Sequence, residues 1–288
     1  MKPAPFEHCA PTDVGEVLTL LSDHAPDARL LAGGQSLVPL LNFRLSRPAL
    51  LIDLNRISDL SYIRDEGDYL AIGAMTRERI IENSELVRRQ APLLHEATLN
   101  IAHLPIRSRG TIGGSIANAD PAAEYPAVAT ALDCIMVARS VRGERLIEAS
   151  KFFEDVLTTS LEPDELLAEI RVPVIPQGSG VAFEEIARRH GDFALAGVAA
   201  QVTLSGDTVS DVRLAACGVG SGPVRLSNAE QTIRSGGIGG GAIEQAGNAA
   251  SEEVEPFSDL HATEAYRRRL AGVMTRRALV RAIERASS

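Results

Sequence analysis

The sequence predicts an α+β protein of two domains, and three observations carry this prediction. Strand-like and helical segments alternate as far as residue 172. Pro173 and Pro176 then interrupt the pattern, as is typical of a domain boundary. The rest of the chain holds three strand candidates and one long amphipathic helix. We therefore expect a first domain over residues 1–176 and a second domain over residues 177–288.

The first domain alternates helices with short apolar strands. Val14, Val17, Leu18 and Leu21 recur at helical spacing, which predicts an amphipathic helix near the start of the chain. Short apolar runs bounded by turn-forming residues predict strands. In chain order we expect a helix over 12–22, a strand over 28–32, a helical segment over 37–41, strands over 50–54 and 69–74, helices over 76–87, 92–102 and 127–132, and strands over 134–140 and 165–172.

The second domain is expected to pair an antiparallel sheet with helices. A short Ser205-Gly206-Asp207 turn separates the last two strand candidates and favours an antiparallel meander. The predicted segments are strands over 181–187, 194–204 and 209–219, a glycine-rich loop over 236–241 and an amphipathic helix over 264–285.

The composition excludes several function classes. The net charge is -9, which argues against binding to bulk nucleic acid or to anionic membrane. Aromatic residues make up 4% and tryptophan is absent, so the chain has little material for stacking on single-stranded nucleic acid. It contains no apolar run of about 18 residues and no export signal at its start. We therefore expect a cytoplasmic protein without a membrane span.

Neither a metal site nor a disulfide is expected in this chain. Cys9, Cys134 and Cys217 are far apart and odd in number, so they predict no disulfide framework, zinc site or iron–sulfur cluster. His95 and His103 lie eight residues apart on a predicted helix but lack a third ligand.

Two glycine pairs are the motifs that point to chemistry. Gly33-Gly34 and Gly113-Gly114 each follow an apolar run and lead into hydroxyl or amide residues. A glycine lets backbone approach a phosphate without a side-chain collision, and its exposed N–H then becomes the donor. Two ordinary tight turns are the alternative. The chain has no G-x-x-x-x-G-K-[ST] motif and no G-x-G-x-x-G motif between a strand and a helix, which argues against a P-loop and a dinucleotide fold of the Rossmann type.

The segments around these glycines resemble the medium, FAD-binding subunit of the molybdenum hydroxylases. Residues 29–37 (RLLAGGQSL) and 111–121 (TIGGSIANADP) carry the resemblance, and residues 188–194 and 266–274 extend it to the family's C-terminal domain. The family includes xanthine dehydrogenases, aerobic carbon monoxide dehydrogenases and bacterial dehydrogenases of N-heterocycles. The resemblance covers essentially the whole chain.

The resemblance implies a particular architecture and a particular cofactor site. The first domain would be an FAD-binding domain of the vanillyl-alcohol-oxidase (PCMH) type with subdomains of about 1–56 and 57–176, and the second would hold a three-stranded antiparallel sheet and a helical bundle. FAD would be held non-covalently, with no catalytic residue on this chain. The cofactor-binding residues would be Ala32, Gly33, Gly34, Gln35, Ser36, Leu37, Thr111, Gly113, Gly114, Ser115, Asn118, Asp120, Glu124, Leu167 and Phe193.

The resemblance also assigns individual roles. Residues 32–37, here called the first bend, and residues 111–115, the second bend, would surround the FAD diphosphate. Asn118 and Asp120 would lie near the polar edge of the flavin or its ribityl chain, and Glu124 on the adenosine side. Leu167 would pack on the flavin or the adenine. Phe193 would lie close to the isoalloxazine ring, where some relatives have a tyrosine. Gln35 and Ser115 replace a histidine and an asparagine that are frequent in the family.

The implied function is electron transfer inside a larger enzyme. Electrons would arrive from [2Fe-2S] clusters on a small subunit and pass through FAD to an external acceptor, while a large molybdopterin subunit oxidises the substrate, in a dimer of heterotrimers. A free-standing FAD-dependent oxidase or dehydrogenase of the same fold is the alternative, and an assembly factor without redox function is a third hypothesis. The substrate stays open because its pocket would belong to another subunit. The acceptor stays open because the sequence has no dedicated nicotinamide-binding motif and members of the family differ in their acceptors.

Three further features have ordinary structural interpretations beside functional ones. Asp53 is a carboxylate near the first bend, but most such residues form turns or caps. His190 lies in a segment that governs access to the flavin in relatives, and a solvated turn is the alternative. The arginines at 267–269 and 276–277 predict a solvated helix face or, alternatively, a surface that pairs with acidic residues of a partner subunit.

Overall fold

The computed structural model describes all 288 residues and confirms the predicted α+β class. The strands are β1 (Glu7–Cys9), β2 (Ala28–Leu31), β3 (Leu50–Asp53), β4 (Ile63–Asp65), β5 (Tyr69–Gly73), β6 (Ile135–Ser140), β7 (Gly143–Glu148), β8 (Phe153–Asp155), β9 (Thr158–Thr159), β10 (Leu166–Pro173), β11 (Ser179–Ile186), β12 (Ala196–Ser205), β13 (Thr208–Cys217) and β14 (Val224–Arg225). The helices are α1 (Val14–His24), α2 (Leu37–Asn42), α3 (Glu78–Glu82), α4 (Glu85–Gln90), α5 (Pro92–Asn100), α6 (Leu104–Arg107), α7 (Ile112–Asn118), α8 (Glu124–Ala131), α9 (Ala149–Phe152), α10 (Ser227–Gly236), α11 (Gly240–Glu253) and α12 (Glu264–Ala286).

Two main sheets form the first 176 residues, and β8 and β9 pair in a small antiparallel third sheet. The first sheet is parallel with the order β1-β3-β2, and α1 supplies Val17 and Leu21 to its core. The second sheet is antiparallel with the order β4-β5-β10-β6-β7. Its central strand, β10, comes last in the chain and pairs with both β5 and β6. The first bend follows β2 and leads into α2, so it lies where a parallel strand ends.

Strand β10 links the cores on its two sides. Leu166 and Ala168 belong to the core of the first sheet, whereas Leu167 and Ile170 belong to a larger core. A β-bulge between Leu167 and Glu169 shifts the alternation of side chains along this strand. The larger core also contains residues of β11, β12 and β13, so the two halves of the chain pack directly on each other.

The C-terminal sheet is a meander packed on three helices. Strands β11, β12 and β13 are antiparallel neighbours as predicted, and the two-residue strand β14 adds a fourth member. Helices α10, α11 and α12 cover one face and close an apolar core of their own. No helix of the protein is both long and apolar enough to cross a membrane. The boundaries expected near residues 56 and 176 fall between sheets and stay predictions.

One predicted helix and one predicted loop were wrong in detail. The helix expected over 76–87 is two helices, because the Ser84 hydroxyl accepts a hydrogen bond from the Val87 amide at 3.3 Å and starts α4 anew. The loop expected over 236–241 is only three residues long, since α10 ends at Gly236 and α11 begins at Gly240.

Candidate functional site

A single cleft of about 590 Å³ opens where the first sheet, the second sheet and the C-terminal domain meet. Meeting points between domains are common places for ligand sites. All fifteen residues predicted to bind the cofactor line this interdomain cleft: Ala32, Gly33, Gly34, Gln35, Ser36, Leu37, Thr111, Gly113, Gly114, Ser115, Asn118, Asp120, Glu124, Leu167 and Phe193. The structure thus brings together segments that are up to about 160 residues apart in the chain.

The first bend presents consecutive backbone donors to the cleft. None of the five N–H groups from Gly33 to Leu37 donates to a backbone carbonyl, and the next amide, that of Val38, donates to the Gly34 carbonyl at 3.1 Å. Gly34 has a φ of +75°, a left-handed conformation that glycine adopts without strain. Gln35 folds its Nε2 back onto the Gly33 carbonyl at 2.9 Å. A row of unsatisfied N–H groups of this kind is an anion-binding nest.

The two bends touch each other at the floor of the cleft. A Cβ on Gly33 would lie 2.3 Å from the carbonyl oxygen of Arg109 and 2.8 Å from the Cα of Gly110. A Cβ on Gly114 would lie 3.6 Å from the Cβ of Ala32. Gly33 is therefore required for the contact between the bends, whereas Gly34 is required for the backbone conformation of the nest.

The prediction that the second glycine pair forms a turn with free amides was wrong. Both glycines lie inside helix α7, which Thr111 caps. The amides of residues 112–115 are engaged within the protein: Ile112 donates to the Thr76 carbonyl at 3.1 Å, Gly113 to the Ala74 carbonyl at 2.9 Å, Gly114 to Thr111 Oγ1 at 3.0 Å and Ser115 to the Thr111 carbonyl at 3.0 Å.

Close packing explains the glycine at position 113. A Cβ there would lie 2.4 Å from the Cβ of Ala74, so a side chain would push α7 away from the end of β5. The second bend offers the cleft side chains rather than backbone donors, chiefly the Ser115 hydroxyl and the Asn118 amide. The donors to an anion are therefore divided unequally between the two bends.

Two known protein families match this chain and together identify its family. Residues 4–175 match the family described as FAD binding domain in molybdopterin dehydrogenase. Residues 181–282 match the CO dehydrogenase flavoprotein C-terminal domain. This chain belongs to the FAD-binding medium subunits of the molybdenum hydroxylases. The predicted family is thereby confirmed.

Individual relatives of the medium subunit match over nearly their whole length. The chain is 44% identical to caffeine dehydrogenase subunit beta of Pseudomonas sp. (strain CBB1), covering 99% of this chain and 97% of that protein. It is 42% identical to the alpha subunit of the 6-hydroxypseudooxynicotine dehydrogenase complex of Paenarthrobacter nicotinovorans, with the same coverage of both chains, 99% and 97%.

A solved structure confirms the predicted fold of the medium subunit. A chain of carbon monoxide dehydrogenase from Hydrogenophaga pseudoflava, in a form that lacks the Mo-pyranopterin moiety, superposes with a TM-score of 0.97. That chain is 41% identical, and the match covers 99% of both chains. Matches to subunits over the full length favour an oxidoreductase subunit over a free-standing flavoprotein. They also confirm FAD as the cofactor of this family of chains.

The cleft has the features that an FAD dinucleotide needs. Five free amides offer donors to a diphosphate, and Gly34 adopts the left-handed backbone conformation of this bend without strain. Apolar side chains, Leu167 among them, line the deeper part, while Phe193 is 67% exposed at the mouth beside Gly191. The residues present therefore fit the cofactor.

Glu78 lines the cleft although no sequence motif predicts it there. Its side chain is 5% exposed, and its Oε2 has no hydrogen-bond partner. Burial raises the pKa of Glu78 to about 7, although the guanidinium groups of Arg107 and Arg77 oppose the rise. No local pattern could have revealed it, because the backbone bridge between Arg77 and Thr111 brings it to the cleft.

Glu124 is a second buried acid in the cleft and was predicted to line it. The side chain is 7% exposed at the start of α8. Burial raises its pKa well above the usual range, and the neighbouring carboxyl of Glu185 adds to the rise. Because both Glu78 and Glu124 favour the neutral acid, the cleft carries less negative charge than its composition indicates, which suits an anionic ligand.

The other candidate residues do not line the cleft. Asp53 lies outside the cleft lining and caps a 3₁₀ turn by accepting the Asn55 amide at 2.9 Å. His190 stands beside His103, with ring centroids 6.5 Å apart.

The interpretation of residues 267–269 as a solvated face was wrong for Arg267. That side chain is buried and donates to the Leu195 carbonyl at 2.8 Å, because the C-terminal sheet packs over it.

Proposed function

We propose that this medium subunit binds FAD non-covalently in the interdomain cleft and serves electron transfer in a molybdenum hydroxylase complex. The observation that carries the proposal is the nest of five free amides in a cleft that both glycine motifs line. Charge-assisted hydrogen bonds from such a nest hold a diphosphate that stays bound and is not transferred.

The residues of the cleft would divide the cofactor between them. The nest over residues 33–37 would donate to the diphosphate, and Ser115 with Asn118 would add side-chain donors. Asp120 would lie near the ribityl chain or the polar edge of the flavin, and Glu124 on the adenosine side. Leu167 would pack on the flavin or the adenine, and Phe193 would cover the isoalloxazine ring at the mouth.

Bound FAD would supply the redox chemistry through which electrons from [2Fe-2S] clusters reach an external acceptor. The clusters belong to a small partner subunit and the molybdenum cofactor to a large one, in a cytoplasmic dimer of heterotrimers. The protein itself positions the cofactor, donates hydrogen bonds and excludes water. Relatives named for caffeine and for carbon monoxide share this chain type, which agrees with substrate oxidation on another subunit.

Purification of the native complex tests this proposal. We expect the chain to co-purify with a small and a large subunit, and heat to release FAD from it. Release of FMN would contradict a site built around a diphosphate. An active yellow monomer would favour the free-standing flavoprotein, and a colourless protein would favour the assembly factor.

Phe193→Tyr is expected to change the flavin potential more than FAD affinity. A tyrosine hydroxyl at the mouth can donate a hydrogen bond that phenylalanine cannot. One such bond contributes about 1 kcal/mol, equivalent to roughly 20 mV for a two-electron couple. Redox titration measures the potential, and Phe257→Tyr, at an exposed position outside the cleft, is the control. Identical potentials for Phe193→Tyr and the unaltered protein would contradict the placement of Phe193.

A further inference from the structure

Two side chains outside the cleft lining connect the two glycine bends. Asn55 Nδ2 donates to the carbonyl of Ala32 at 3.0 Å. Arg77 Nη2 donates to Asn55 Oδ1, and Arg77 Nη1 donates to the carbonyl of Arg109. Ala32 enters the first bend, and Arg109 lies in the segment that leads into the second. The hydrogen bonds therefore run from one bend to the other through residues that do not line the cleft.

Both members of this connection are held in place by their own surroundings. The Asn55 side chain is oriented by Asp53 Oδ1, which accepts from its Nδ2 and also from its backbone amide. The backbone on both sides of Arg77 is fixed to the second bend, since the Glu78 amide donates to the Gly110 carbonyl at 3.0 Å and the bridge to Thr111 completes the pair. Arg77 thus follows the end of β5 in the second sheet, whereas Asn55 follows the end of β3 in the first.

We propose that Asn55 and Arg77 form a clamp that fixes the spacing of the two bends and so positions the free amides of residues 33–37 for the cofactor diphosphate. The proposal rests on the proposed function of the cleft. Both are positioning residues, since neither lines the cleft. A guanidinium is suited to this task because its rigid planar fork satisfies two acceptors at once.

The position of Asn55 argues against a role in general stability alone. Its side chain is exposed in a short 3₁₀ turn and contributes nothing to an apolar core. Its one long-range backbone acceptor is the carbonyl that precedes the nest. Preorganising a binding segment improves affinity by reducing the entropy lost when the ligand binds. The clamp is therefore expected to act on FAD affinity more than on the free energy of unfolding.

FAD titration of the deflavinated full-length chain tests the clamp with three variants. Asn55→Ala removes the link to Ala32, and Arg77→Lys replaces the fork by a single ammonium. We expect each to raise the FAD dissociation constant roughly tenfold, as for the loss of one hydrogen bond to a charged network. The double variant is expected to show roughly the same tenfold loss rather than the product of the two, because both changes break the same connection.

Three further measurements distinguish a loss of amide positioning in residues 33–37 from a general loss of stability. The melting temperature of the deflavinated variants and the flavin midpoint potential of the reloaded ones are expected to match those of the unaltered protein. Arg79→Lys is the matched control, since Arg79 lies two residues away with a partly exposed side chain paired to Glu82 at 2.9 Å. It is expected to bind FAD as the unaltered protein does.

Each outcome decides for or against the clamp. Unaltered FAD affinity in Asn55→Ala, or losses that multiply in the double variant, would overturn it while the proposed function stands. If Arg77→Lys does not fold, the exposed Asn55→Ala variant decides by itself. An unaltered protein that takes up no FAD would count against the proposed function instead.

Discussion

Gly34→Val is expected to weaken FAD binding by about two orders of magnitude while the chain stays folded. The left-handed φ of +75° at Gly34 belongs to the backbone conformation in which the amides of residues 33–37 have no protein acceptor, and a β-branched residue disfavours this conformation. Loss of two hydrogen bonds to a charged diphosphate costs about 3 kcal/mol, which is roughly a factor of 100 in affinity. FAD titration of the deflavinated protein measures the change.

Gly67→Val is the matched control for this backbone effect. Gly67 has a similar φ of +87° in the turn between β4 and β5, and a Cβ there would meet nothing within 4 Å. The two variants therefore share the conformational strain, but only Gly34 belongs to the nest. Equal FAD affinities in the two variants would show that the nest does not hold the cofactor. Gly33 is less informative, because a Cβ there would separate the bends.

Glu78→Gln is expected to stabilise the flavin-free protein above neutral pH by up to about 3 kcal/mol. The folded protein raises the pKa of this carboxyl from 4.5 to about 7, so the fold favours the neutral acid. Below the unfolded pKa both states are protonated and no penalty exists. As the pH rises toward 7, the unfolded chain releases its proton first and stability falls. A shift of this size corresponds to about 3 kcal/mol.

Urea unfolding of the flavin-free protein at pH 4 and pH 8 measures this effect. The glutamine imitates the neutral acid, so the variant and the unaltered protein are expected to agree at the lower pH and to differ at the higher one. Glu85→Gln is the control, because the Glu85 side chain is 78% exposed in its ion pair with Arg88. A difference that is the same at both pH values would argue against titration of Glu78.

Much of the cleft could be predicted because its residues lie in two compact motifs. The glycine at 34 follows a strand and precedes a helical segment, so local sequence indicated both the bend and its exposed amides. The second glycine pair has a similar local pattern, but it lies inside helix α7 and its amides are not free. Local sequence could not reveal that Ala74, almost forty residues earlier, packs against Gly113 and accepts its amide.

By itself, the sequence determined the α+β class, the main strands along the chain, the family and fifteen of the residues that line the cleft. The class depends on periodicity, and the family and the fifteen residues depend on contiguous motifs that resemble those of the family. The tertiary structure alone decided which amides are free, which acids are buried and how Asn55 and Arg77 connect the bends. These properties depend on contacts between segments far apart in the chain. Desolvation and hydrogen-bond satisfaction are set by such contacts, so no local pattern encodes them.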